Sequence, residues 1–382
     1  MNRTFCIFSA NYVPNIGGVE KYTKYLAEEL VRQGDRAIVV TNDVFDIGLF
    51  ERTPEGVEIT RLPCRKVLNG RYPLPLRNVV YREALAHIRE EAVDYVVVNT
   101  RFYPHSLEGV ALAESLGVKP VVIDHGSAHL TMGNQIVDIG VAAVEHAMTG
   151  LMKRHEADYY GVSKASVQWL EHFGIDALGI LNNSIDAEKF VASSSGRKWR
   201  SELHLDEGDF VVAFTGRLIP EKGIVSLVEA AELVSGKSAI KFLIAGDGPM
   251  REYVERSDSQ NLMLLGNLTA SDIAALLLTA DAFCLPTRSE GFSTSLLEAA
   301  ACSTTPILPR VGGVDELMPS EDYGVVLGTT DSGEVARAIV ALCENRAETK
   351  RRAGNIHARV LEEFSWKNTA DKVRKACERA NA

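Results

Sequence analysis

Residues 281–302 read DAFCLPTRSEGFSTSLLEAAAC. The apolar run Asp281–Pro286 predicts a buried parallel strand, and the run that ends at Cys302 predicts a helix. Glu290 then lies on the strand-to-helix loop, and Glu298 lies inside the helix. The small residues between the two glutamates allow backbone amides at the helix N-terminus to approach an anion. The stretch therefore predicts a polar ligand site. The alternative is a solvated surface helix with two ordinary glutamates.

The same alternation of short apolar runs and helical patterns fills the chain on both sides of this stretch. It predicts an α/β protein with two Rossmann-like, doubly wound parallel-sheet domains that face one another across a cleft. The polar segment Ala187–Asp209 interrupts the alternation and is interpreted as a linker. The predicted domains are residues 1–190 and 205–365. The predicted strands of the first are Thr4–Ser9, Arg36–Thr41, Tyr95–Asn99, Val121–Asp124, Tyr159–Val162 and Leu178–Leu181.

Length and composition set the class of protein. A chain of 382 residues with 46% hydrophobic and 24% charged residues is typical of soluble globular protein with about two domains. The formal net charge of −10 disfavours nucleic acid as a partner. The six cysteines have no metal-like spacing and indicate a reduced, cytoplasmic protein. We expect no signal peptide and no membrane-spanning segment.

Two motifs are absent from the sequence. Neither predicted domain has a G-x-G-x-x-G fingerprint after its first strand, which disfavours a dehydrogenase. No D-x-D pair is present, so a divalent metal that bridges a diphosphate has no obvious carboxylate ligands. We therefore expect no metal and no cofactor in the reaction.

Candidate phosphate-binding residues follow the first strand of each domain: a glycine pair in the first domain and two cations in the second. Gly17 and Gly18 allow backbone N–H groups to approach a phosphate, and the alternative is a plain tight turn. Arg217 and Lys222 leave the carboxyl end of a parallel strand, where open α/β sheets bind ligands. An arginine can bind two phosphate oxygens, and a lysine supplies a compact charge. The alternative is a solvated loop in which Glu221 pairs with these cations.

A histidine follows a strand at the corresponding sheet end of the first domain. His125 could donate to a sugar hydroxyl or to a developing charge. A lone loop histidine is often structural, and His129 is a nearby alternative.

The stretch from Thr60 to Arg82 is locally basic in an acidic chain. It has six cations and no acidic residue, with apolar and aromatic residues between the cations. The pattern favours contact with anionic lipid headgroups or with a polyprenyl diphosphate acceptor, and the alternative is a solvated loop and helix start. The cations are Arg61, Arg65, Lys66, Arg71, Arg77 and Arg82.

With these positions identified, the sequence resembles glycosyltransferase family 4, the retaining GT-B enzymes, over nearly the whole chain. The pair Glu290 and Glu298 resembles the family's E-x7-E motif. Ser303 stands where the family usually has glycine, and Asp124-His125 reverses the usual His-Asp order. The other segments that resemble the family are Gly17-Gly18-Val19-Glu20, Asn183-Ser184-Ile185-Asp186, Gly216-Arg217 with Lys222-Gly223, Gly246-Asp247-Gly248-Pro249 and Gly312 to Leu317.

The resemblance implies a role for each of these positions. Arg217 and Lys222 would bind the donor diphosphate in place of a metal, and Glu298 would hold the ribose. Glu290 would contact the donor sugar, and His125 would lie near the reacting face. Amides around Phe292, Ser293 and Thr294 would bind sugar and phosphate. Gly17 and Gly18 would let the first helix approach the phosphate. The last helix, 366–380, would pack on the first domain.

The implied activity is hexosyl transfer from a UDP- or GDP-sugar to a lipid-linked or polysaccharide acceptor, as in lipopolysaccharide or capsule synthesis. The implied location is the cytoplasm, on the inner face of the cytoplasmic membrane. Acceptor attack on the departing face and a glutamate nucleophile both remain open. Two alternatives are a non-hydrolysing nucleotide-sugar epimerase and a non-catalytic nucleotide-sugar-binding protein. The donor sugar, its base, the acceptor and the linkage are not predicted.

Overall fold

A computed structural model describes residues 2–15, 17–129, 135–237 and 239–382. The chain divides into two compact units. The first contains Met1–Asn183 with Trp366–Ala382, and the second contains Ser184–Ser365. The last helix of the chain therefore belongs to the first unit.

The first unit is built on one large sheet and a separate antiparallel hairpin. The strands of the sheet are β1 (Thr4–Ser9), β2 (Arg36–Asn42), β3 (Phe50–Arg52), β4 (Glu58–Leu62), β7 (Tyr95–Asn99), β8 (Val121–Asp124) and β9 (Asp158–Gly161), and those of the hairpin are β5 (Cys64–Val67) and β6 (Tyr72–Pro75). The seven strands of the sheet have the order β3-β4-β2-β1-β7-β8-β9. All neighbours in it are parallel except β3, which runs antiparallel to β4 at the edge. The central strands are continuous apolar runs because helices cover both faces of such a sheet.

Helices connect these strands, and one returns from the end of the chain. In the first helix Tyr22, Leu26 and Leu30 are buried at a spacing of four residues, which gives it one apolar stripe. The ring of Trp366, at the start of the last helix, packs against Tyr22 with 5.5 Å between centroids. The helices are α1 (Gly18–Arg32), α2 (Val79–Glu90), α3 (Pro104–Leu116), α4 (Gln135–Met152), α5 (Lys164–His172) and, from the chain's end, α15 (Trp366–Ala380).

The second unit has a fully parallel six-stranded sheet. Its strands are β10 (Phe210–Thr215), β11 (Ile240–Ala245), β12 (Leu262–Gly266), β13 (Ala282–Cys284), β14 (Thr305–Pro309) and β15 (Val325–Leu327). They have the order β12-β11-β10-β13-β14-β15. The strand order reverses between β10 and β13, which are hydrogen-bonded neighbours. Ligands of open α/β sheets bind at such a reversal, outside the carboxyl ends of the strands.

Helices of very different lengths complete the second unit. They are α6 (Ala187–Ala192), α7 (Trp199–Glu202), α8 (Ile224–Leu233), α9 (Arg251–Glu255), α10 (Ala270–Thr279), α11 (Thr294–Ala301), α12 (Val314–Leu317), α13 (Ser332–Glu344) and α14 (Arg346–Glu363), with 3-10 turns at Pro220–Lys222 and Glu321–Tyr323.

Two sequence predictions about the region near residue 190 were wrong. The segment Ala187–Asp209 is not a linker, because it contains α6 and α7 and belongs to the second unit. Trp199 in α7 is buried, which fixes this segment on its unit although its composition is polar. Leu178–Leu181 is not a strand and forms a single bridge, between Gly161 and Ile180.

The basic stretch 60–82 is an ordered part of the first unit. Three of its six cations form ion pairs: Arg61 with Glu51, Lys66 with Asp46 and Arg77 with Glu108. Arg61 is also buried, so it cannot face a membrane surface. Arg65, Arg71 and Arg82 are exposed. Within the described residues, no helix is both long enough and apolar enough to span a membrane.

Candidate active site

The predicted donor-binding residues of the second unit converge on the reversal in strand order between β10 and β13. Arg217 and Lys222 lie on the loop after β10, and Glu290 lies on the loop after β13. Phe292 and Ser293 follow on that second loop, and Thr294 begins α11. Residues far apart in the sequence are thus placed at one end of one sheet, as the parallel-sheet rule predicts.

A short ion pair joins two of the predicted site residues. Lys222 Nζ donates to Glu290 Oε1 at 2.5 Å, and both side chains are largely covered, with 26% and 12% of their surfaces exposed. A charge-assisted hydrogen bond in a partly desolvated site is stronger than one in water. The ammonium and the carboxylate therefore hold each other in place at the end of the sheet.

Backbone hydrogen bonds tie the two loops together behind this ion pair. The carbonyl of Glu221 accepts from the hydroxyl of Thr287 at 3.0 Å and from the N–H of Arg288 at 2.9 Å. Gly223 has a φ of 73°, and a Cβ there would lie 1.9 Å from the carbonyl oxygen of Pro286. Only glycine fits this approach, which keeps Lys222 next to the second loop.

The loop that contains Glu290 is also bonded to Gly312. The N–H of Gly312 donates to the carbonyl of Glu290, and the N–H of Ser293 donates to the carbonyl of Gly312, both at 3.1 Å. The expectation that the Ser293 amide would bind a sugar or phosphate is therefore not met, because that N–H is already used. A Cβ at Gly312 would lie 2.1 Å from the carbonyl oxygen of Gly291, so the loop requires glycine there as well.

The start of α11 still offers backbone donors. Ser293 is its N-cap, and the Ser293 hydroxyl accepts from the N–H of Leu296 at 3.3 Å. The N–H groups of Thr294 and Ser295 have no acceptor among the described residues. Unpaired amides at a helix N-terminus, together with the helix dipole, favour an anion. One turn further on, Glu298 is half-buried within α11.

Arg217 and Phe292, the other two predicted site residues of this unit, differ in how exposed their side chains are. Arg217 is exposed, and its guanidinium forms no ion pair with any described residue. Phe292 is buried and lies under Gly313, where a Cβ would be 3.1 Å from its ring. Arg217 is thus available to a ligand, whereas the side chain of Phe292 supports the loop.

In the first unit, the glycine pair begins α1. Gly17 is the N-cap residue of α1. It has no side chain that could accept a hydrogen bond from the first N–H groups of the helix. A Cβ at Gly17 would meet the carboxylate of Glu20 at 2.2 Å, whereas a Cβ at Gly18 would meet nothing within 4 Å. Packing inside the protein therefore does not explain a glycine at position 18.

His125 follows β8 and is held by its neighbours. Its Nε2 lies 2.9 Å from Asn99 Oδ1, and the Asn99 amide donates to Thr23 Oγ1 at 2.9 Å. Its ring packs edge-on against Tyr22, with 4.8 Å between centroids. Burial lowers the pKa of His125 to about 3. With its Nε2 proton donated to Asn99, the neutral ring presents Nδ1 as an acceptor.

The predicted alternative, His129, belongs to a different set of contacts. Its Nδ1 lies 2.7 Å from Glu145 Oε2. Glu145 also accepts from the buried Arg101, which pairs with Asp124 at 2.6 Å. No sequence pattern predicted this buried network or the contact of Asn99 with His125. Asn99 and Asp124 are polar residues at the ends of otherwise apolar strands. This position is the sequence feature that could have indicated their role.

Two family models match separate parts of the chain. The model described as "Glycosyl transferases group 1" matches residues 195–359, and the model described as "Glycosyltransferase Family 4" matches residues 16–189. The two matches together include every residue of the candidate site.

Relatives and solved structures match over almost the whole chain. A phosphatidylinositol N-acetylglucosaminyltransferase subunit of Arabidopsis thaliana is 25% identical over 97% of this chain and 80% of its own. The glycosyltransferase MJ1069 of Methanocaldococcus jannaschii is 24% identical over 98% of this chain and 97% of its own. The structure of Anabaena Alr3699/HepE in complex with UDP superposes with a TM-score of 0.74 at 19% identity, over 99% of this chain and 100% of its own. The chain belongs to glycosyltransferase family 4, group 1, and has the GT-B fold.

Proposed function

We propose that this glycosyltransferase transfers a hexose from a UDP- or GDP-sugar to a lipid-linked or polysaccharide acceptor, with retention of the anomeric configuration. The observation that supports it most directly is the Lys222–Glu290 ion pair at the strand-order reversal, beside the loop of Arg217. Two relatives support the substrate classes. The HepE structures contain UDP and UDP-glucose, and the Arabidopsis relative is named for transfer to phosphatidylinositol.

The leaving group is proposed to be stabilised without a metal. When the glycosyl–oxygen bond breaks, negative charge develops on the nucleoside diphosphate. Arg217 and Lys222 are the cations assigned to it, and the unpaired amides of Thr294 and Ser295 add donors at a helix N-terminus. Fixed donors of this kind need no reorganisation during the reaction, which is the usual source of large rate effects.

The carboxylates are proposed to bind the donor. Glu298, within α11, is assigned to the ribose, and Glu290, on the loop, is assigned to the sugar. Because Glu290 is already paired with Lys222, its charge is partly neutralised and its oxygen is a poorer nucleophile. This favours attack of the acceptor hydroxyl on the face from which the diphosphate departs, with its proton passing to a diphosphate oxygen.

Gly18 and His125 of the first unit are proposed to bind parts of the donor. The open space at Gly18 suits a phosphate oxygen near the start of α1. His125 is neutral, and its Nδ1 can accept a hydrogen bond from a sugar hydroxyl. An acceptor nitrogen does not suit a developing negative charge. This acceptor role replaces the donor role expected for His125 from the sequence.

The lipid-linked acceptor is proposed to be reached at an anionic membrane surface. The exposed hairpin of β5 and β6 offers Arg65 and Arg71 as cations and Val67 and Leu68 as apolar contacts. Cations beside exposed apolar side chains suit a lipid headgroup region. The location that follows is the cytoplasmic face of the membrane.

The decisive experiment incubates the protein with a panel of UDP- and GDP-sugars, with and without lipid-linked acceptors, and measures release of free nucleoside diphosphate. Acceptor-dependent release with a product of unchanged anomeric configuration would support the proposal. Isomerised donor without release would identify an epimerase. Binding of a nucleotide sugar with neither product would identify a non-catalytic binding protein.

A further inference from the structure

Three histidine side chains meet on the surface of the first unit. His129 follows β8, His146 lies in α4, and His172 is the last residue of α5. One ligand nitrogen of each ring lies within 4.8 Å of the other two. Three separate elements thus bring three imidazoles together, and imidazole is the protein ligand that zinc, copper, nickel and cobalt share.

The separation of two of these nitrogens fits a bound metal ion. The Nε2 atoms of His146 and His172 are 3.4 Å apart. Two nitrogens bound to one tetrahedral zinc at about 2.0–2.1 Å are separated by about 3.3–3.4 Å. A hydrogen bond between nitrogen and its acceptor is usually shorter, at about 2.7–3.2 Å. The spacing therefore suits a shared cation better than a direct hydrogen bond between the rings.

A buried carboxylate orients the third ring. Glu145, 4% exposed, places Oε2 at 2.7 Å from Nδ1 of His129 and Oε1 at 2.7 Å from Arg101. The carboxylate accepts the Nδ1 proton, which leaves Nε2 of His129 as the ligand atom. Metal-bound histidines almost always donate their other ring nitrogen in this way, and the partner fixes the tautomer and makes the ligand more basic.

Aromatic packing holds the ligand rings before any ion arrives. The ring of Trp169 stacks on His172 at 4.8 Å with an interplanar angle of 2°, and it meets His129 edge-on at 4.7 Å. His146 in turn packs on Phe173 at 4.7 Å. A metal site needs ligands whose rotamers are fixed by their surroundings, and all three rings meet this requirement.

We propose that His129, His146 and His172 bind one divalent transition-metal ion of the zinc class, with the fourth position open to water. A set of three imidazoles with one open position is a common arrangement for zinc. The ion would join the segment that follows β8, through His129, to α4 and α5. Through Glu145 and Arg101 it would also stabilise the buried Asp124, next to His125. This site is separate from the metal-free diphosphate site proposed for the second unit.

The test is a zinc titration of the full chain, freed of any affinity tag and treated with a chelator. We expect one zinc per chain by elemental analysis, with calorimetric affinity tighter than micromolar. Saturating zinc should raise the Tm of the first unit by about 5 °C, since a ligand that binds only the folded state stabilises it. Cobalt in place of zinc should give the visible absorption of a four-coordinate nitrogen site.

The variants His146→Gln and His172→Gln test the ligands without disturbing the core, because both side chains are exposed. Each should weaken zinc binding by at least about tenfold, since even the loss of a residue that supports a ligand costs about 10–100-fold. His87→Gln is the matched control, an exposed helical histidine outside the cluster. Circular dichroism would confirm that all variants fold. Wild-type zinc binding that is weak, or equal in the cluster variants and the control, would overturn the proposal.

Discussion

Lys222 and Glu290 form an ion pair of 2.5 Å between the loops that follow β10 and β13. The two loops follow the strands that border the reversal in strand order, and the carbonyl of Glu221 accepts hydrogen bonds that hold the loops together. The pair therefore has a fixed place before any donor binds.

Replacing Lys222 by alanine should remove most of the activity and little of the stability. We expect kcat to fall by about 10²–10³, the usual cost of losing one donor to a developing oxyanion. Lys237→Ala is the control, because Lys237 also pairs with a glutamate in the second unit but lies on the surface. Steady-state release of nucleoside diphosphate measures the effect. Near-normal turnover of Lys222→Ala would exclude it from the diphosphate site.

The fold was largely predictable because each unit is a parallel sheet. Strands buried on both faces are continuous apolar runs, and β1, β7 and β8 have the bounds that the sequence predicted. The sequence did not predict elements that lack a continuous or periodic apolar pattern. The edge strand β3 has all its residues exposed, and the helix α14 is too polar for its buried face to be recognised.

The shared position of Lys222 and Glu290 at one end of the sheet could be predicted from the sequence, but their contacts could not. The sequence predicted that Lys222 and Glu290 serve one ligand, yet no pattern shows that they pair with each other. It also could not show that the Ser293 N–H is used by Gly312, because that bond depends on a loop from another part of the chain. Buried charges such as Arg101 are invisible for the same reason: burial is a property of the fold.

Gly18→Ala should separate a ligand role from a structural one. No atom lies within 4 Å of the Cβ that this change adds, so the Tm should stay within about 2 °C of the wild-type value. If a donor phosphate approaches α1 here, the added methyl group should raise the KM for the donor by at least about tenfold. Gly354→Ala, in α14, is a control with equally open surroundings. An unchanged KM would remove Gly18 from the donor site.

Ser303→Gly should stabilise the second unit. Ser303 follows the end of α11 with a φ of 55°, a left-handed conformation that costs a residue with a Cβ about 1 kcal/mol. Glycine avoids this cost but loses more chain entropy on folding, so the net gain should be about 0.5 kcal/mol. Urea denaturation measures it. The control is Ser235→Gly, because Ser235 does not have a positive φ, and this change should lower the stability. A Ser303→Gly protein that is destabilised to the same extent would contradict the argument from the backbone conformation.

Acid should destabilise the first unit through His105. Burial lowers the pKa of this histidine to about 4, and its Nε2 contacts the carbonyl of Val40 at 2.9 Å. The unfolded chain takes up this proton near pH 6.5 and the folded chain only near pH 4, so stability is full above 6.5 and falls as the pH drops between these values. Between pH 7 and pH 5 this group alone should cost about 2 kcal/mol.

The measurement is the free energy of unfolding at pH 7 and pH 5 for the wild type and for His105→Gln. Glutamine keeps a donor for Val40 but does not titrate, so the variant should lose about 2 kcal/mol less than the wild type over this interval. His87→Gln, at an exposed site, should not change the pH dependence. Parallel curves for the wild type and His105→Gln would show that His105 is not the group responsible.

Reversing the charges of Arg65, Lys66 and Arg71 should weaken binding to anionic vesicles. The first and third are exposed, and Lys66 pairs only with the exposed Asp46, so all three can face a lipid surface. Each cation near such a surface contributes about 1 kcal/mol, so the triple change to glutamate should reduce vesicle affinity by at least about a hundredfold. Wild-type binding should also weaken as salt rises, because exposed charges are screened.

Vesicles that contain phosphatidylglycerol, sedimented at two salt concentrations, measure this binding. The control reverses three exposed cations of the second unit, Lys189, Arg337 and Lys350, which changes the net charge equally. If only the hairpin variant fails to sediment, the effect belongs to that surface. If both variants fail alike, net charge alone governs binding, and the hairpin has no special role at the membrane. Because both variants leave Arg217, Lys222 and Glu290 intact, their activity on a soluble acceptor should remain at the wild-type level.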